Sequence, residues 1–124
     1  MMGGKLFSFV TGEGSIKEKT EAMEDLLFKM QVSKQKPEFE LSMRAVFPIL
    51  LKMLKDSNPK IVSLTLRILE NCIEWIASSE QQLNNLVTII VEKLGDQKIS
   101  IRQNVSKVIR DLAVLHLIYI DENK

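Results

Sequence analysis

Residues 51–62 read LKMLKDSNPKIV, and the turn at their centre decides how the whole chain is read. Upstream, Ile49, Leu50, Met53 and Leu54 close an apolar pattern with helical spacing. Downstream, Ile61, Leu64, Thr65, Ile68 and Leu69 open another. Asn58, or Ser57 beside it, offers a side-chain oxygen to the first N–H groups of that second helix. Pro59 suits the first helical position, where its missing N–H would have no partner anyway. The stretch is a helix–turn–helix.

Working outward, the same pattern returns. Shifting the chain by 40 residues places Ile49 on Ile89, Leu50 on Ile90, Leu54 on Leu94 and Asp56 on Asp96. Beyond the turn, Ile61 falls on Ile101, Ile68 on Val108, Leu69 on Ile109 and Cys72 on Leu112. A shift of 42 residues in the other direction lays Met23, Leu26, Leu27 and Met30 on Thr65, Ile68, Leu69 and Cys72. A period near 40 marks an array in which each helix pair buries its apolar face against the next. The expected fold is all-α, a short α-solenoid of about two and a half to three helix–turn–helix repeats in one domain over 1–124. The units are a partial first repeat over 15–33, a second over 37–77, a third over 79–115 and a C-terminal tail over 116–124.

Local signals set the expected helix limits. Ser15 and Glu18 form a capping box ahead of the stripe Met23, Leu26, Leu27 and Met30. Pro37 suits the first turn of the second helix, which carries Leu41, Val46, Ile49, Leu50, Met53 and Leu54 and has Pro48 inside it, predicting a kink. The third helix is expected to run on through Cys72 to Ile76. The fourth carries Leu83, Leu86, Ile90 and Leu94, and the fifth Ile101, Val105, Val108, Ile109 and Leu112. No stretch alternates with period two for long enough to suggest a strand.

Composition narrows the function. The 124 residues carry 17 Lys and Arg against 16 Asp and Glu, a net charge of +1, which lacks the basic excess of a dedicated nucleic-acid binder. One cysteine cannot build a disulfide framework or a multi-cysteine metal site. The start, MMGGKLFSFV, is too short an apolar run for a signal peptide, and LAVLHLIYI is too short to span a bilayer. A cytoplasmic protein with no membrane segment and no cofactor is expected. Cys72 lies on a core stripe and reads as a buried apolar residue, far in sequence from His116, the only histidine. Glu24 and Asp25 read as a solvated helix face, and neither GGK nor TGEG has the spacing and setting of a phosphate loop. Nothing in the sequence requires an enzyme.

The units closely resemble HEAT repeats. Pro48, Asp56 and Ile61 of one unit and Asp96, Ile101 and Arg102 of the next stand at the positions of the HEAT pattern, with Val62 and Thr88 as departures. Within that class, SIKEKTEAMEDLL, LLKMLKDSNPKIVSLTLRILENCIEW and VTIIVEKLGDQKISIRQNVSKVI are similar, in order and spacing, to the first half of a TOG domain, the tubulin-binding array of microtubule regulators. The likeness covers roughly residues 14–112. It implies a turn edge that contacts tubulin, carried here by Ile16, Lys17, Ser57, Asn58, Lys60, Gln97, Lys98 and Arg102. Ile16 stands where tubulin-binding TOG domains commonly carry Trp. The resemblance to HEAT arrays also implies an ion pair between a turn Asp and an Arg of the adjacent unit, here Asp56 with Arg102.

Two functions follow as expectations. One is a non-enzymatic binding module that meets tubulin or a microtubule-associated partner through its turns, using the positive charge of Lys60, Lys98 and Arg102. The other is a HEAT adaptor that joins another protein, or a second copy as a homodimer, through apolar faces at its ends. Those faces would be Leu112 to Ile120 at one end and Leu6, Phe7, Phe9 and Val10 at the other. The bland alternatives are solvated turn lysines, Asp56 and Asp96 as helix caps, and Trp75 packed against a neighbouring helix.

Overall fold

The computed structural model describes residues 16–33 and 38–122, with side chains over 16–32 and 39–118. Ser15 of the expected capping box, Pro37 and the apolar segment Leu6 to Val10 lie outside the described residues. The described residues are all-α, in HEAT-like helix pairs, and contain no strand. Helices α1 (Ile16–Ser33), α2 (Glu38–Met53) and α3 (Pro59–Asn71) come first. After them stand α4 (Ile73–Ala77), α5 (Glu80–Ile90), a 3-10 turn (Val91–Gly95) and α6 (Ile99–Glu122). The chain divides into two compact units, Met1–Asn71 and Cys72–Lys124.

In the first unit α3 packs against both α1 and α2. Its Ile61, Val62, Leu64, Thr65, Leu66, Ile68 and Leu69 are all buried, so most of its circumference is out of water. Met23, Leu26 and Met30 of α1 are fully buried, as expected. Thr65 is a polar residue with no exposed surface, and its Oγ1 donates to the Ile61 carbonyl at 2.8 Å, which satisfies the hydroxyl inside the helix. The stripe of α2 differs from expectation at one end. Met43, Val46, Phe47, Leu50 and Leu54 are buried, whereas Leu41 is 70% exposed. Two helical steps separate Leu41 from Met43 by about 200°, so the two cannot share a face. The helix continues through Pro48.

In the second unit α4 and the 3-10 turn pack against α6. Leu86, Ile90, Ile101, Val105, Val108 and Leu112 are buried. Ser79 caps α5 by accepting from the Gln82 N–H at 3.5 Å. Leu94, expected on the α5 stripe, is 42% exposed. The chain tightens to 3-10 winding after Ile90, and the extra ~20° per residue carries Leu94 off the buried face.

Two helix limits also differ. The helix expected from Pro59 to Ile76 stops at Asn71, and Cys72 leaves helical geometry with φ −117° and ψ 21°. Asn71 Nδ2 donates to the Arg67 carbonyl at 2.9 Å, so a side chain competes for an acceptor of the helical ladder. The last helix continues through Glu122, into the span read as a C-terminal tail, because nothing between Leu112 and Ile120 breaks α6.

Candidate functional site

The turns are built by the same bonds, 40 residues apart. Asp56 Oδ1 accepts from the Asn58 N–H at 2.8 Å, and Asp96 Oδ1 accepts from the Lys98 N–H at 2.8 Å. The Asp56 N–H donates to the Met53 carbonyl and the Asp96 N–H to the Lys93 carbonyl, both at 3.1 Å. The first helical bonds match too, Val62 N–H to the Asn58 carbonyl and Arg102 N–H to the Lys98 carbonyl. Each Asp thus ends one helix through its own N–H and starts the next through its carboxylate. In the first turn Asn58 adds a second cap, its Oδ1 accepting from the Lys60 N–H at 2.9 Å.

Lys19 Nζ lies 3.6 Å from Asp56 Oδ2, with both side chains largely buried. This pair sets the first turn of α1 beside the turn between α2 and α3. Residues some 40 positions apart in sequence therefore share one end of the first unit: Ile16 and Lys17 from α1, and Ser57, Asn58 and Lys60 from the turn. Ile16, Lys17, Ser57 and Lys60 are exposed there, and Asn58 is half-buried. Gln97, Lys98 and Arg102 form a second exposed group, at the turn into α6 of the second unit. The eight residues thus fall into two groups, one in each unit. Sequence reasoning missed Lys19 because a charge one turn into an amphipathic helix looks like any solvated lysine.

The charge partners differ from those the HEAT pattern implied. Asp56 pairs with Lys19, and Arg102 Nη1 donates to the Asp96 carbonyl at 3.2 Å. Asp25, read as part of a solvated helix face, pairs with Lys29 at 3.0 Å on the surface of α1. Cys72 is buried. Trp75 is half-buried on α4, and its carbonyl accepts from Ser78 Oγ at 2.7 Å. Among the described residues no group of three or more His, Cys, Asp and Glu side chains could hold a metal ion. Among them, too, no helix is long and apolar enough to cross a membrane.

Several large apolar side chains face solvent. Phe28 and Val32 on α1 are 64% and 58% exposed and stand one turn apart. On α6, Val114, Leu117 and Ile118 are 52%, 66% and 49% exposed. Such surface on a helical-repeat protein is suited to holding another protein.

The model of the family described as Exportin 1-like protein matches residues 23–112 of the chain. No curated protein and no solved structure matches it significantly.

Proposed function

Because the chain belongs to the Exportin 1-like protein family, a family of HEAT-repeat proteins, and is a helical-repeat module for protein interaction, we propose that it engages its partner through the turn ends of its helix pairs. The partner is a protein with an acidic surface, and tubulin is the first candidate. The module carries out no chemistry of its own. The observation that supports this most is the Lys19–Asp56 pair at 3.6 Å, which gathers Ile16, Lys17, Ser57, Asn58 and Lys60 at one end. Lys17 and Lys60 there, with Lys98 and Arg102 on the second unit, give both turn ends a positive charge suited to steering an acidic protein. The test is co-elution with unpolymerised tubulin by size exclusion with light scattering, for the native chain and for Lys60→Glu with Lys98→Glu. A shift with tubulin that weakens with salt and disappears in the double variant supports the reading. A native chain that never shifts, or a double variant that binds as well, refutes tubulin as the turn partner.

A second reading is favoured by the exposure of Phe28 and Val32 on α1 and of Leu117 on α6. Here the chain is an adaptor held by terminal apolar faces. Charges placed at Phe28 or Leu117 then abolish binding of a partner, and charge reversal at the turns leaves it intact.

A further inference from the structure

Beyond Leu112 the last helix, α6, continues to Glu122, and none of residues 113–118 is buried. Stepping at about 100° per residue, Arg110, Val114 and Leu117 fall within about 60° of one another. They lie on the side of α6 opposite Val105, Val108 and Leu112, which are buried within the second unit. All three are exposed, and Ile118 stands on the margin of their stripe. Arg110 forms no ion pair among the described residues. Helical register carries the stripe on to position 121, an Asp. The spacing i, i+4, i+7 and i+11 is that of a seam between two helices. Its four positions read cation, aliphatic, aliphatic, anion.

We propose that this stripe is the contact between two copies of the chain, paired antiparallel about a two-fold axis between positions 115 and 116. In that register Val114 meets Leu117 of the second copy, and Arg110 meets its Asp121. The two-fold makes each contact twice, so the stripe is complementary to itself. The order of the charges selects the direction. Parallel pairing would set Arg110 on Arg110 and Asp121 on Asp121, and like charges face to face oppose it. An anionic membrane surface would repel the Asp at the end of the same stripe. The proposal goes beyond both readings above and rests on neither, since it uses no turn residue and no foreign protein. From position 110 to position 121 the seam is only about 17 Å long. Such a contact is smaller than the ~800 Å² per partner of a stable complex, so the dimer is weak, with Kd on the order of 10 µM or above.

The test is sedimentation equilibrium of the full chain at low salt, over about 1–500 µM. The mass of the native chain is expected to rise from monomer to dimer across that range. Leu117→Asp, at an exposed position, should weaken association by about tenfold or more. Arg110→Asp sets a carboxylate against Asp121 of the second copy, and Asp121→Arg sets a cation against its Arg110. Each alone should weaken the dimer by roughly tenfold, because the symmetry counts every reversal twice. Mixed in equal amounts, the two single variants restore an Arg–Asp contact at both ends of an antiparallel pair. The mixture should therefore dimerise about as tightly as the native chain, and so should the chain that carries both changes. Circular dichroism matching that of the native chain shows that each variant folds. If Arg110→Asp does not fold, Leu117→Asp and Asp121→Arg decide the matter. A native chain that stays monomeric at about 500 µM overturns the proposal. So does a dimer that survives Leu117→Asp, or a mixture of the single variants that stays monomeric where the native chain dimerises. Lys60→Glu with Lys98→Glu should leave the dimer intact even where it abolishes binding to tubulin, so the two readings can fail separately. A dimer lost in that variant would move the contact to the turns and overturn the proposal.

Discussion

Replacing Asp56 by Ala tests the element on which the candidate site depends. The Asp56 carboxylate does two things in the structure. Its Oδ1 accepts from the part-buried Asn58 N–H at 2.8 Å, and its Oδ2 faces Lys19 at 3.6 Å. Losing the acceptor leaves the Asn58 N–H without its partner in a partly dry setting, a cost of about 1–2 kcal/mol. The ion pair is close but still touches solvent, so its loss adds roughly 0.5 kcal/mol. Asp56→Ala is therefore expected to destabilise by about 2 kcal/mol in all. Asp56→Asn keeps an acceptor in place and loses only charge, so it should cost about half as much. The equivalent bond in the second turn, Asp96 Oδ1 to Lys98 N–H, is exposed, and water can replace it. Asp96→Ala is expected to cost ~1 kcal/mol or less. The assay is urea unfolding followed by far-UV circular dichroism, comparing midpoints at constant slope. A double-mutant cycle with Lys19→Met isolates the ion pair. Its coupling should be about 0.5 kcal/mol and should fade in molar salt, where screening acts within ~3 Å. The reasoning is refuted if Asp56→Asn costs as much as Asp56→Ala, or if Asp56→Ala costs under about 0.5 kcal/mol.

Three further outcomes follow from packing and hydrogen bonding. Leu50 has no exposed surface, and Leu50→Ala should lower stability by about 2–5 kcal/mol in the same urea assay, the spread reflecting how far the cavity collapses. Gln82 Oε1 is buried and finds no hydrogen-bond partner among the described residues. Gln82→Met should therefore raise stability by roughly 1 kcal/mol in that assay, and a loss would mean that the amide is satisfied in solution. Asn71→Ala removes the side-chain amide that takes the Arg67 carbonyl at the end of α3. A gain of about 0.5 kcal/mol is expected, with slower amide exchange across 70–73 as the break between α3 and α4 tightens. Unchanged exchange would show that Asn71 does not set the break.

The repeat and its turns were legible because they are written in neighbouring residues. Asp56 with Asn58 and Asp96 with Lys98 are side-chain-to-backbone bonds two positions apart, so the residue types in a six-residue window suffice to predict them. Burial of Leu26, Leu64, Ile68, Val105 and Val108 followed from period alone, since each lies inside a stripe. Leu41 and Leu94 were misplaced because they lie at stripe ends, where a small change in phase moves a side chain from core to solvent. The continuation of α6 to Glu122 was missed for another reason. An apolar run without breakers is equally compatible with a folded-back segment and with one longer helix. Of the eight candidate site residues, seven are exposed and Asn58 is half-buried.

By itself, then, the sequence determined the all-α class, the 40-residue period, the position of each turn and the carboxylate that caps it. These depend on bonds between residues within one or two helical turns, and the chain carries that information locally. Only the tertiary structure decided which charge Asp56 meets, where along α2 the buried stripe begins and which apolar side chains stay in water. Lys19 and Asp56 lie 37 positions apart, and no periodicity links them. Phe28 and Leu117 are exposed although they are as apolar as their buried neighbours. A helix can bury only the faces that another helix reaches, and reach is a property of packed elements, not of any single stretch of chain.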